Sequence, residues 1–245
     1  MKERPILMRG PLVCATIAGH KTVTRRLDGL DDVNVWPDAW KLGESGVADG
    51  EHWQTLVDKE DPDLIVNVRS GQGAPGDRLW VRETWAVGAC ADSLLPAELH
   101  PGTWLNDNGG LWYPADNTEP KHPISPRGKT RVSIHMPRWA SRVSLEVVSI
   151  RYERLSSITA DDALAEGITI PTNEKGEWLV ELAGSKYPAI NYIPHRTDRS
   201  EISLRDDIAR AYFASLWDGI NAERGYGWDV DPWVRRVEFK LKEGK

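Results

Sequence analysis

Apolar and polar positions alternate most regularly along Arg78-Leu79-Trp80-Val81-Arg82-Glu83-Thr84-Trp85, with Leu79, Val81 and Glu83 on one face and Trp80, Arg82 and Thr84 on the other. The pattern predicts a strand there, opened by the turn Gly73-Ala74-Pro75-Gly76-Asp77. Further strands are predicted over Arg131 to Met136, Arg142 to Arg154 and Trp233 to Phe239, with shorter ones at Ile6 to Met8, Leu64 to Val68 and Leu111 to Pro114. Thr22 to Leu27 is rich in β-branched residues and predicts a strand with Thr22, Thr24 and Arg26 on one face.

Helical signals are fewer. Pro11 opens a short helix with Leu12, Ala15 and Ile17 as its apolar residues, and Gly19 closes it. Thr159, three residues before Asp162, caps a second helix through Ala163 and Leu164 that Gly167 stops. Ser203 with Asp206 repeats that cap before the longest helix, in which Ile208, Tyr212, Phe213, Leu216, Trp217 and Ile220 fall at helical spacing. Residues 28–76, 88–128 and 170–200 read as long excursions rich in turn residues. Short strands with few helices, in no βαβ rhythm, predict an α+β chain built as a small β-barrel decorated by helices.

Composition narrows the class. A chain of 245 residues can bury one sizeable core, and a single domain over 1–245 is expected. No apolar run is long enough to cross a bilayer. Met1-Lys2-Glu3-Arg4-Pro5 lacks the apolar stretch of a signal peptide, so a cytoplasmic location is expected. Cys14 and Cys90 form no CxxC pair, and the six histidines show no HxxxH or HxH spacing. The expectation is no disulfide, no metal and no organic cofactor.

The net charge of −6 argues against a protein that coats nucleic acid. Yet Pro120 to Leu145 contains no acid, and holds Lys121, Arg127, Lys129, Arg131, Arg138 and Arg142. This stretch, 121–142, is either an RNA-contacting patch or a solvated loop and strand face. The 12 tryptophans, against two phenylalanines, belong mostly to the core, although Trp beside a basic stretch also suits stacking on nucleobases.

Two positions suggest chemistry. A buried, uncharged Lys21 could act as base for the Thr24 hydroxyl, with Arg25, Arg26 and burial all lowering the lysine pKa. The alternative is a set of surface charges flanking an ordinary strand. Strict alternation puts Lys21 and Thr24 on opposite faces, so the strand must begin after Lys21 or bend there. Glu166 falls in the last turn of its helix, where the macrodipole disfavours negative charge, a setting suited to a group that gives and takes a proton. Its alternative is an exposed glutamate.

Ala18-Gly19-His20-Lys21-Thr22-Val23-Thr24-Arg25-Arg26 resembles the G-x-K-T-x-T-x-R signature of ASCH domains. Gly76-Asp77-Arg78-Leu79-Trp80-Val81-Arg82-Glu83 resembles the family's GD-x-ϕ strand. Leu155-Ser156-Ser157-Ile158-Thr159 with Ala163-Leu164-Ala165-Glu166-Gly167 is similar to its later helix, which carries a glutamate near the end. Trp217-Asp218-Gly219-Ile220-Asn221 and Trp233-Val234 look like a Trp-rich, phage-associated branch. The four blocks cover roughly a third of the chain. Residues 28–75, 88–130 and 170–200 would be insertions.

The resemblance implies a PUA-like barrel whose cleft takes RNA or a nucleoside. Some small ASCH proteins remove the acyl group from N4-acylated cytidine with a Lys, a Thr and a Glu, which fall here on Lys21, Thr24 and Glu166. The implied activity is hydrolysis of an acylated cytosine or cytidine. Arg26 and Glu83 would reach the cleft, and Trp85 and Trp139 would stack on the pyrimidine. Core packing is the alternative for both tryptophans, and an ion pair with Arg82 or Arg26 the alternative for Glu83. The competing functions are a PUA-like module that binds RNA through 121–142 without chemistry, and a ribonuclease using the same cleft.

Overall fold

A computed structural model describes residues 1–101, 110–120, 125–168, 170 and 201–242, with 201–205 as backbone alone. Lys121 and, apart from Ile170, the 170–200 excursion lie outside the described residues. The chain is α+β. Its strands are β1 (Glu3–Leu7), β2 (Val23–Arg26), β3 (Trp40–Ala48), β4 (Glu51–Asp58), β5 (Ile65–Arg69), β6 (Arg78–Arg82), β7 (Ser144–Arg154) and β8 (Trp233–Leu241). Among the described residues its α-helices include α1 (Gly10–Ile17), α2 (Ala160–Ala165) and α3 (Glu201–Asn221). One sheet has the order β1-β6-β7-β8-β2 and the other β3-β4-β5. The expected barrel is not what the pairing gives: among the described residues β1 and β2 end the five-strand order rather than closing it. No helix among them is long and apolar enough to cross a membrane.

The chain folds into two compact units, the first made of Met1–Gly19, Gly76–Val147 and Phe239–Lys245. Here β1 runs parallel to β6, Glu3 opposite Arg78 and Leu7 opposite Arg82, and β6 pairs antiparallel with the start of β7. Leu79 and Val81 point into the core, as the alternation of 78–85 predicts. The strand ends at Arg82, and Trp85 and Ala86 continue only as isolated bridges to Arg131 and Trp112. Pro11 opens α1, and Gly19, at φ 76°, follows its end.

The strand expected over 131–136 does not form. Its apolar positions, Val132, Ile134 and Met136, alternate as a strand's would, but the His135 and Met136 amides close on the carbonyls of Val132 and Ser133. That makes a single turn of 3₁₀ helix over Ser133–His135, with Val132 and Ile134 exposed and Met136 buried.

The second unit comprises His20–Pro75 and Val148–Glu238. Its excursion after β2 is the three-stranded antiparallel sheet β3-β4-β5. Asp49 and Gly50, with φ 55° and 72°, form the left-handed turn joining β3 to β4. Strand β2 pairs antiparallel with β8, Val23 opposite Glu238 and Arg26 opposite Arg235. Leu27, Leu155, Ile158, Ala163, Ile208, Phe213, Trp217 and Val234 form this unit's core. Helix α3 begins at Glu201, so Ser203 lies inside it and not at its cap.

Candidate active site

The chain breaks where the alternation requires it to. Lys21 stands outside β2, in an isolated bridge with Glu166, and the Thr22 amide donates to Ala165 O at 2.9 Å. Helix α2 supplies the other side. The Thr159 side chain accepts from the Asp162 amide, fixing the start of the helix, and Glu166 caps its end ahead of Gly167 at φ 83°. This short, firmly bounded helix delivers both Asp162 and Glu166 to β2.

Lys21 Nζ donates to Glu166 Oε2 at 2.7 Å, to Glu166 O at 2.8 Å and to Val23 O at 2.7 Å. The two side chains are only 1% and 6% exposed. Burial depresses the Lys21 amine well below the usual lysine range; Glu166 opposes the shift, and Arg26 and Arg25 add to it. At 2.7 Å a proton can pass between Nζ and Oε2. The transfer exchanges an ion pair for a neutral amine beside a neutral carboxylic acid.

From the sequence alone Asp162 is a helix-cap residue and Arg25 a charge beside Lys21. The structure makes them the centre of a buried network. Arg25 donates through Nη1 to Glu166 Oε1 at 3.2 Å, through Nη2 to Asp162 Oδ2 at 2.7 Å and through Nε to Glu153 Oε1 at 2.9 Å. Asp162 also accepts from Arg236 Nη2 at 2.8 Å and from Arg151 Nη2 at 3.0 Å. Burial pushes the Asp162 carboxyl up, but the hydrogen bonds and charges of Arg236 and Arg25 outweigh it and leave the group below its ordinary value. The doublet Arg235-Arg236 is the signal available in the sequence: two adjacent cations flanked by Trp233-Val234 and Val237 in a largely buried strand need acids nearby.

Thr24 is buried on β2, and among the described residues no side-chain hydrogen bond engages its hydroxyl. By alternation it shares a face with Arg26, while Val23 and Arg25 project to the other. Burial is the main cause holding the Arg26 pKa below its usual value.

The remaining expected residues belong to the first unit. Glu83 is gripped by Arg142, through Nε and Nη2 at 2.8 and 2.9 Å. Arg142 also bonds Asp116 Oδ2 at 2.7 Å and lies over the Tyr113 ring. Trp85 is fully buried, edge-on to the half-buried Trp139, with the Arg131 guanidinium 5.7 Å from its centre. Of the basic stretch, Arg131 turns inward to the carbonyls of Ala91 and Leu94, and Arg138 is held by Glu3. Arg127 and Lys129 remain exposed.

No protein-family model matches this chain, and no curated protein or solved structure matches it at a significant level.

Proposed function

We propose that the second unit houses an amidohydrolase site for N4-acylated cytosine or cytidine, with Lys21, Thr24 and Glu166 as its catalytic residues. The observation that carries this reading is the buried Lys21–Glu166 pair, 2.7 Å apart and assembled from positions 145 residues apart in the chain. The ASCH resemblance, with its PUA-like fold, supplies the substrate class. After proton transfer within the pair, neutral Lys21 takes the proton of Thr24, and Oγ1 attacks the acyl carbon. Glu166, now a carboxylic acid, protonates the departing cytosine amine. Water then attacks the acyl-threonine as Glu166 accepts one of its protons; the carboxylic acid leaves and loses its proton to solvent, Thr24 regains its proton from Lys21, and transfer of the Glu166 proton back to Lys21 restores the ion pair. The direct test is incubation of the protein with N4-acetylcytidine: release of cytidine and acetate supports the reading, and an untouched substrate rejects it.

One observation favours a second reading. All three donor positions of Lys21 are filled by protein acceptors, as in a structural lysine. In that reading the unit is a PUA-like binding module, and Lys21→Met alters stability without any hydrolysis to lose.

A further inference from the structure

Antiparallel pairing sets Arg25 opposite Arg236 and Arg26 opposite Arg235. Residues directly opposed project to one face, and successive residues to opposite faces, so β2 and β8 carry two arginine pairs back to back. Like charges placed this way repel. The Arg25–Arg236 pair is neutralised by Asp162, which bonds both, and by Glu153, Glu166 and Glu238 around them.

The Arg26–Arg235 face is balanced differently. Arg235 is 1% exposed, and its Nη1 donates to Asp28 O at 2.9 Å and reaches Arg69 O at 3.5 Å. Among the described residues the carboxylate within ion-pair range of Arg235 is that of Asp28, whose side chain is 70% exposed and whose Oδ2 stands 3.6 Å from Nη2, beyond a hydrogen bond; the charges of Asp28 and Glu166 also reach Arg26. Arg235 Nε and Nη2 are buried and make no hydrogen bond. These two atoms form the edge with which a guanidinium grips a phosphate or carboxylate in two parallel bonds. The buried Tyr152 hydroxyl meets, among the described residues, only the Arg235 guanidinium, in a contact short of good hydrogen-bond geometry, and Glu51, held by Ser70 and Gly73, is the acid whose charge also reaches it. His52 stacks on the Tyr152 ring at 6.1 Å. A buried donor edge met only by a distant carboxylate and a poorly aligned hydroxyl is costly, and an oxyanion satisfies it.

Thr24 projects from this same face, two residues along β2 from Arg26, about 7 Å by strand geometry. We propose that the Arg26–Arg235 face binds the phosphate of a nucleoside monophosphate. Arg235 grips it through Nε and Nη2, displacing Asp28, Tyr152 donates its hydroxyl, and Arg26 adds the second positive charge. The preferred substrate then becomes an N4-acylated cytidine monophosphate. That last step rests on the hydrolase reading; the phosphate site does not. An acyl chain ending in a carboxylate offers similar oxyanion chemistry, so the test must separate the two.

Calorimetric titration of the full chain with cytidine 5′-monophosphate, cytidine and inorganic phosphate reads the site without catalysis. The monophosphate should bind about ten-fold or more tightly than cytidine, as one charge-assisted contact implies, and phosphate should compete with it. Arg235→Gln should bring the ratio close to one. Tyr152→Phe keeps the ring in place and should narrow the ratio, and it carries the test should Arg235→Gln not fold. Equal affinities, or no binding of monophosphate or phosphate, overturn the site. In turnover, N4-acetylcytidine 5′-monophosphate should exceed N4-acetylcytidine in kcat/KM by a similar factor. Turnover without that gain, or a gain only for N4-succinylcytidine, overturns the phosphate assignment and leaves the hydrolase reading intact. Phosphate binding without hydrolysis of any acylated cytosine keeps the site and removes the hydrolase reading.

Discussion

Lys21, Thr24 and Glu166 divide the proposed chemistry unequally, and single substitutions should separate their shares. Lys21→Ala removes the base, and Glu166→Gln keeps the shape of the acid without its proton; each should lower kcat on the order of 100- to 10,000-fold. Glu166→Gln should do so with little change in KM, whereas Thr24→Ala should leave weak turnover by directly polarised water. Either of the first two variants retaining half of wild-type kcat in a folded protein sinks the mechanism. The pH dependence has a fixed sign. Burial lowers the Lys21 pKa, and the proposed cycle needs the one proton shared by Lys21 and Glu166, so kcat should fall as pH rises through that depressed value and the pair loses its proton. The same shift bears on stability: with a folded pKa below 10.5, Lys21 favours the folded state fully above 10.5 and loses that contribution as pH falls through the folded value. Asp162 answers to stability before rate. Asp162→Ala leaves the Arg25 and Arg236 guanidinium groups buried without their shared acid, and denaturant unfolding should show a loss of about 3–5 kcal/mol. A loss under about 1 kcal/mol would mean that Glu153, Glu166 and Glu238 neutralise the arginines unaided.

The elements differ in how far local sequence decides them. Asp49 and Gly50 both adopt positive φ, and their hairpin holds β3 against β4. Gly50→Val should cost about 1–2 kcal/mol through backbone strain alone, seen as a lowered unfolding midpoint, while Ser45→Val on the exposed strand β3 should stay within about 0.5 kcal/mol. That Asp-Gly pair was the signal for the hairpin, overlooked because Lys41 to Ala48 is too polar to read as a strand; most of its side chains are exposed. Helices α1 and α2 were legible because their caps are local: Pro11 and Gly19 bound one, Thr159 and Gly167 the other. The segment 131–136 misled because alternation specifies a face and not a partner, and its amides close on their own turn instead. The site divides in the same way. Lys21, Thr24 and Glu166 stand out through spacing and resemblance, but which acid holds which arginine depends on the register of β2 on β8, and no local pattern encodes that register.

On the scale of the whole molecule, charge decides what size of ligand is plausible. A chain of net charge −6 repels long polyanions unless a concentrated patch offsets it. Among the described residues the 121–142 stretch provides less than its composition promises. Arg131 and Arg138 are committed to Ala91, Leu94 and Glu3, and Arg142 to Glu83 and Asp116, which leaves Arg127 and Lys129 at the surface. Two exposed cations neutralising two phosphates of single-stranded RNA give a slope of log affinity against log salt of only about −1.4. Fluorescence anisotropy with a labelled oligonucleotide should therefore show weak binding that changes less than ten-fold between 50 and 200 mM salt. Arg127→Ala with Lys129→Ala should abolish what binding there is and leave hydrolysis of N4-acetylcytidine at its wild-type rate, since neither residue belongs to the proposed site. Tight, steeply salt-dependent binding that disappears in the double variant, in a protein unable to hydrolyse any acylated cytosine, would make this an RNA-binding module and Lys21 a structural lysine.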